Sequence, residues 1–204
     1  MSESFYTAYR RAGDPDAPVV MAFHGTGADE HQFVGLIQQM WPRAGIVAPR
    51  GDVSEGGALR FFRRTGEGVY DMADLATRTQ RMAAFIGATR EAHPGRPIQA
   101  LGYSNGANIL AAVMFEQPRL FERVALLHPL IPWTPKPQPA LDGLPVFVSA
   151  GLRDPICPPA LTDALIDWLR AQGAAVEPLI TDGGHQVSQP EIDALQRFMQ
   201  QPQA

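Results

Sequence analysis

Residues 98–115, IQALGYSNGANILAAVMF, decide how the chain is read. Their centre, Gly102-Tyr103-Ser104-Asn105-Gly106, fits the pattern G-x-S-x-G. The apolar run from Ile98 to Leu101 predicts a buried strand, and the segment after the motif, rich in alanine and aliphatics, predicts a helix. A nucleophile elbow needs that context: a strand, one sharp turn carrying the serine, then a helix. Such a turn strains the serine backbone by roughly 1–3 kcal/mol and persists only where its surroundings enforce it. Gly102 and Gly106 lack side chains, so strand and helix can close around the turn. Asn105 offers a backbone N–H at a helix N-terminus, where negative charge is stabilised.

Working outward, Val19–Phe23 is a continuous apolar run and predicts a buried parallel strand. Short apolar strands are expected at 45–48, 124–127, 146–150 and 175–180, with Pro178 pushing the last to a sheet edge. Residues 5–10 read as a further edge strand. Helices are expected over 29–40, capped by Asp29 with Gln32, and from Asp71 to the His93-Pro94-Gly95 stop. The inner stripe of the second is Met72, Leu75, Ala76, Thr79, Met82, Ala83 and Ile86. Another helix spans Pro159–Ala171, and Ser188 with Glu191 forms a capping box for the last. Residues 50–70 read as a long loop with five glycines, an aromatic pair and several arginines. Residues 129–145 hold six prolines and read as stiff and extended.

Strands therefore alternate with helices along the chain. That predicts one α/β domain over 1–204, with a mostly parallel central sheet flanked by helices on both faces and no large cap domain. In such sheets the ligand crevice lies outside the carboxyl ends of the strands. Thr26, Ser104, Asp154 and His185 each follow a predicted strand.

A serine hydroxyl is a weak nucleophile until a base takes its proton and a third group orients the base. With an elbow, the order expected along the chain is serine, acid, histidine. Of five histidines, His185 lies in a glycine-flanked loop after the last strand and is the best base. Asp154 is the preferred acid, with Asp182 as competitor on the histidine's own loop. The oxyanion donors expected are the backbone N–H groups of Asn105 and of Thr26, the latter in the turn His24-Gly25-Thr26-Gly27. The Thr26 hydroxyl is a further candidate donor, and His24 reads as a structural hydrogen-bonder. Substrate contacts are expected from Phe61, Phe62, Arg63, Tyr103, Leu130 and Trp133. For the phenylalanines and arginines the competing expectation is core anchoring and structural ion pairing.

The formal net charge of −4 argues against a nucleic-acid partner. No apolar run reaches the length of a membrane span, and the first residues do not read as a signal peptide. The single cysteine, Cys157, excludes an internal disulfide, suits a cytoplasmic setting and reads as packing. No metal motif is present, and no cofactor is expected.

With these residues in hand, the chain resembles the α/β-hydrolase superfamily, and within it the phospholipase/carboxylesterase branch that includes acyl-protein thioesterases. The matching motifs are 23–27, 102–106, Gly151 with Asp154, and Gly184-His185, spread over residues 19–188. His24-Gly25-Thr26-Gly27-Ala28-Asp29-Glu30, Arg60-Phe61-Phe62-Arg63-Arg64 and Gly102-Tyr103-Ser104-Asn105-Gly106-Ala107-Asn108 look like the bacterial subgroup of MhqD-type esterases. The resemblance implies a cofactor-free serine esterase, often a homodimer, acting on a small-molecule ester. By it Ser104 is the nucleophile, Asp154 the acid, His185 the base, and Thr26 and Asn105 the oxyanion donors. The alternatives left open are an acyl thioesterase or lysophospholipase, and a non-catalytic binding protein on the same scaffold.

Overall fold

The computed structural model describes residues 6–201. The chain begins with β1 (Ala8–Arg11), β2 (Val19–Phe23), α1 (Val34–Met40) and β3 (Gly45–Pro49). Two short pairs follow, β4 (Val53–Glu55) with β5 (Ala58–Arg60) and β6 (Arg64–Gly66) with β7 (Val69–Tyr70). Then come α2 (Met72–Ala92), β8 (Ile98–Tyr103), α3 (Asn105–Glu116) and β9 (Arg123–Leu127). The chain closes with β10 (Pro145–Gly151), α4 (Pro159–Ala171), β11 (Ala175–Thr181) and α5 (Gln189–Gln200).

Seven strands form one sheet in the order β1-β3-β2-β8-β9-β10-β11. Only β1 runs antiparallel, against β3, and every other pair is parallel. β2, β3 and β9 are buried at every residue, so both faces of the sheet must be covered. Alternation along β2 divides the work. Val19, Met21 and Phe23 pack with Met82, Leu110 and Leu165 from α2, α3 and α4. Val20 and Ala22 pack with Ile37, Leu195 and Phe198 from α1 and α5. β11 is an edge, in keeping with Pro178, and among the described residues it pairs with β10 alone.

The structure departs from the sequence reading in four places. The first edge strand begins at Ala8, and Phe5 lies outside the described residues. α1 begins at Val34, not Asp29, because the Asp29 carboxylate accepts from the His31 N–H at 2.9 Å and closes a local turn instead. Residues 50–70 are not structureless: they fold into two antiparallel hairpins. Gly56 and Gly57, at φ 57° and 94°, supply the left-handed pair that a tight two-residue turn requires. Met72 and Ala76, expected on the inner stripe of α2, are exposed, and they border an open groove shared with Trp133.

Residues 129–144 hold a single 3-10 turn, Pro139–Leu141, and otherwise no regular element, in keeping with their prolines, and Pro145 opens β10. Among the described residues no helix is long and apolar enough to cross a membrane.

Candidate active site

β8 ends at Tyr103 and α3 begins at Asn105, leaving Ser104 alone in the turn. Its backbone sits at φ 53°, ψ −118°, a conformation that costs a side-chain-bearing residue energy. Close packing enforces it. A Cβ on Gly102 would lie 2.6 Å from the Gly106 carbonyl oxygen, and one on Gly106 would lie 2.2 Å from that of Phe23. The Ser104 N–H donates to the Leu127 carbonyl at 2.9 Å, which ties the turn to β9.

Three side chains from three strand ends meet at this point. The Ser104 Oγ lies 2.9 Å from His185 Nε2, and His185 Nδ1 lies 2.8 Å from Asp154 Oδ2. Asp154 is buried and its carboxylate is fully engaged. Oδ1 accepts from the backbone N–H groups of Ile156 at 2.8 Å and Cys157 at 2.9 Å. Burial alone would raise the pKa of Asp154. The Cys157 and Ile156 amides and both histidines outweigh it and hold the carboxyl below its ordinary range. With Asp154 an anion, His185 donates through Nδ1 and keeps the Nε2 lone pair toward the serine. Asp182, the rival acid, is exposed. The Tyr103 hydroxyl donates to the His185 carbonyl at 2.9 Å and moors the histidine loop.

The turn after β2 forms the opposite wall. His24 is 1% exposed; its Nδ1 lies 2.8 Å from the Gly25 carbonyl and its Nε2 accepts from the Gly51 N–H at 2.9 Å. Burial depresses its pKa, so it serves as a neutral strut. The Gly25 N–H donates to Gln32 Oε1 at 2.8 Å and the Gly27 N–H to the Leu59 carbonyl at 3.0 Å. The Thr26 N–H lies between these two engaged amides. Thr26 Oγ1 accepts from Arg60 Nη1 at 2.9 Å, and Asn105 Oδ1 accepts from the Phe61 N–H at 2.7 Å.

A cavity of about 260 Å³ opens over Ser104. Thr26, Tyr103, Asn105, Leu130 and His185 line it, as do Arg60, Arg64, Glu67, Tyr70, Asn108 and Cys157. Of the last six, the sequence reading placed Cys157 in packing and Arg64 among the arginines beside the aromatic pair; Arg60, Glu67, Tyr70 and Asn108 carried no role in it. Phe61 and Phe62 are fully buried and do not reach the cavity. Phe61 packs at a tilt on His24 and Phe62 edge-on against Tyr70, since large aromatic rings at the root of two hairpins have more apolar area to gain inside than out. Arg63 points to solvent near Asp74, and Trp133 lines the separate groove beside α2 and packs on Phe115. Tyr70 closes a small network, donating to the Leu130 carbonyl at 2.9 Å and receiving from Asn108 Nδ2 at 2.8 Å.

Ligand-type atoms on His128, Asp154 and His185 lie within 4.8 Å of one another. Their shared hydrogen bonds to Asp154 Oδ2 account for that closeness. Asp29, Glu30 and His31 cluster likewise, with Glu30 bound to Arg50 at 2.7 Å.

MhqD of Bacillus subtilis (strain 168), named as a hydrolase, is 40% identical to this chain over 178 residues, covering 86% of the chain and 88% of MhqD. The Bacillus cereus carboxylesterase superposes with a TM-score of 0.87 at 32% identity, covering 95% of this chain and 92% of that one. The chain belongs to the α/β-hydrolase superfamily. Within it, this α/β-hydrolase sits with MhqD in the phospholipase/carboxylesterase branch and is an esterase-type enzyme, a hydrolase of ester substrates. The Agrobacterium tumefaciens str. C58 protein Atu2452, of unknown function, superposes with a TM-score of 0.90 at 50% identity, covering 98% of each chain. The Mesorhizobium loti carboxylesterase does so with a TM-score of 0.86 at 26% identity, covering 99% of this α/β-hydrolase and 98% of that chain. No family model matches the sequence.

Proposed function

We propose that this α/β-hydrolase cleaves carboxylic esters of small or aromatic substrates through an acyl-enzyme formed on Ser104. The observation that carries the reading is the unbroken contact from Ser104 Oγ through His185 to Asp154, at 2.9 and 2.8 Å. As Ser104 Oγ bonds to the ester carbonyl carbon, its proton passes to His185 Nε2. The resulting imidazolium is stabilised by the buried Asp154 carboxylate. It then protonates the leaving alkoxide as the C–O bond breaks. A water, deprotonated by the same nitrogen, attacks the acyl carbon; the bond to Ser104 Oγ breaks, His185 returns the proton to Oγ, and the acid is released.

Negative charge on the carbonyl oxygen needs donors fixed in advance, each worth about 3 kcal/mol in the transition state. The backbone N–H groups of Asn105 and Thr26 fill that role. In support, Asn105 opens α3 beside the serine, and both residues line the cavity over Ser104. The Thr26 hydroxyl accepts from Arg60, so its own hydrogen remains to donate. A cavity of about 260 Å³ suits a short or compact acyl group.

The test is labelling with a fluorophosphonate, followed by turnover of p-nitrophenyl acetate. Ser104 is expected to take the label, and Ser104→Ala to lose turnover by roughly 10⁴-fold or more while keeping its melting temperature. Folded protein that resists the label refutes the reading. A strong preference for long acyl thioesters over short aryl esters would replace the substrate class with that of a thioesterase.

A further inference from the structure

A second histidine shares the carboxylate that His185 uses. His128 follows β9 with its backbone at φ 49°, and its side chain is sealed from solvent. Its N–H donates to the Ser149 carbonyl at 2.8 Å, which fixes it against β10. Nδ1 lies 3.0 Å from Asp154 Oδ2, the same oxygen that meets His185. Nε2 lies 2.9 Å from Glu191 Oε1 on α5, off the line of an ideal hydrogen bond, so that contact is chiefly one of charge. Both carboxylates are also sealed.

Proton counting decides the state of this cluster. A neutral imidazole has one N–H, so one of its nitrogens would present a lone pair to a buried carboxylate. The hydrogen bonds that both carboxylates accept favour their charged forms. Glu191 Oε2 accepts from the Ser188 N–H at 2.8 Å and the Ser188 hydroxyl at 2.7 Å, and Asp154 Oδ1 accepts two backbone amides. Burial raises the pKa of Glu191, yet His128 and Ser188 outweigh it and bring it to about 2. Burial likewise opposes a charge on His128, and Glu191 and Asp154 carry its pKa above the ordinary value. Tyr103 and Cys157 beside it add no charge. The Tyr103 ring stands edge-on 6.0 Å away, its pKa pushed up by burial to about 12. The Cys157 thiol donates to the His128 carbonyl at 3.3 Å and is held neutral by burial. The His185 ring lies 5.4 Å away.

We propose that His128 is a positioning residue held as an imidazolium between Asp154 and Glu191, which sets how much of the Asp154 charge reaches His185. The inference rests on the triad reading above. A fixed positive charge beside His185 disfavours its protonation and keeps it available as a base at lower pH.

His128→Gln keeps an N–H donor toward Asp154 but removes the charge. The acid limb of kcat/KM for p-nitrophenyl acetate is expected to move to higher pH by about one to two units. The double variant His128→Gln/Glu191→Gln restores the net charge of the cluster and is expected to move the limb back toward the wild-type position. A role in packing alone would lower activity without moving the limb, and an unmoved limb in His128→Gln overturns the proposal. So does a limb that stays displaced in the double variant. Should these variants fail to fold, the ¹⁵N imidazole spectrum of the wild-type protein decides. Both ring nitrogens of His128 are expected to stay protonated from pH 5 to 9, and a neutral His128 at pH 7 overturns the proposal. That spectrum is read independently of Ser104 labelling, so failure here and failure of the triad reading are distinguishable.

Discussion

The rim of the sheet and the hairpins of residues 50–70 reach the same cavity by different physics. Ser104, Asp154 and His185 follow β8, β10 and β11, parallel strands of one continuous ladder; β8 and β10 are buried along nearly their whole length, and the edge strand β11 is held in register by seven residue pairs with β10. The hairpins are strands of two or three residues, held by their turns and by ion pairs over a small aromatic root. Arg64 joins them, lying 3.0 Å from Glu55 on one and 2.6 Å from Glu67 on the other. Atoms that must meet within hydrogen-bond distance stand on the stiff part, and the wall that a substrate would touch is built from the part that can change cheaply.

The largest expected effect lies on the rim. Asp154→Asn keeps the shape but lets the introduced side-chain amide donate to His185, favouring the wrong tautomer. kcat is expected to fall by roughly 10⁴-fold, measured with p-nitrophenyl acetate, because a reoriented imidazole cannot accept the serine proton. Retention of a tenth of the activity would mean that the strand-end contact is not the working part. Next comes the root of the hairpins. Phe61→Ala empties a fully buried site beside His24 and should cost about 3–5 kcal/mol in a urea titration. At 25 °C, kcat should change by less than tenfold. A large loss of kcat with little loss of stability would erase the division between the two regions. The smallest effect belongs to the hairpin tips. Arg64→Ala breaks half-exposed ion pairs and should cost under about 1 kcal/mol. Its signature is a few-fold rise in KM at nearly constant kcat, since only the cavity wall loosens.

The same contrast governs what could be read from sequence. Strand runs such as Val19–Phe23 are apolar at every position, and no other covered arrangement suits them, so the sheet was legible. Ser104, Asp154 and His185 were legible as an order along the chain, and the structure brings their side chains into contact. Residues 50–70 were not, because strands of three residues leave no alternation to detect. The Gly56-Gly57 pair was the one hairpin signal on offer. Phe61 and Phe62 looked like substrate contacts only while that segment lacked a core of its own. Glu191 was visible as a helix cap, and its second oxygen, the one facing His128, was not. A capping box is local in sequence, while the imidazole it faces arrives from β9 across the sheet.

The Tyr103 hydroxyl grips the carbonyl of His185, so the loop bearing that imidazole is tethered to the neighbour of Ser104. A thermal fluctuation that lifts the loop must first break this bond to the residue that precedes Ser104. On the mechanism proposed for Ser104, the proton route is therefore already assembled before an ester arrives, and no rearrangement of the loop is required before bond-making begins.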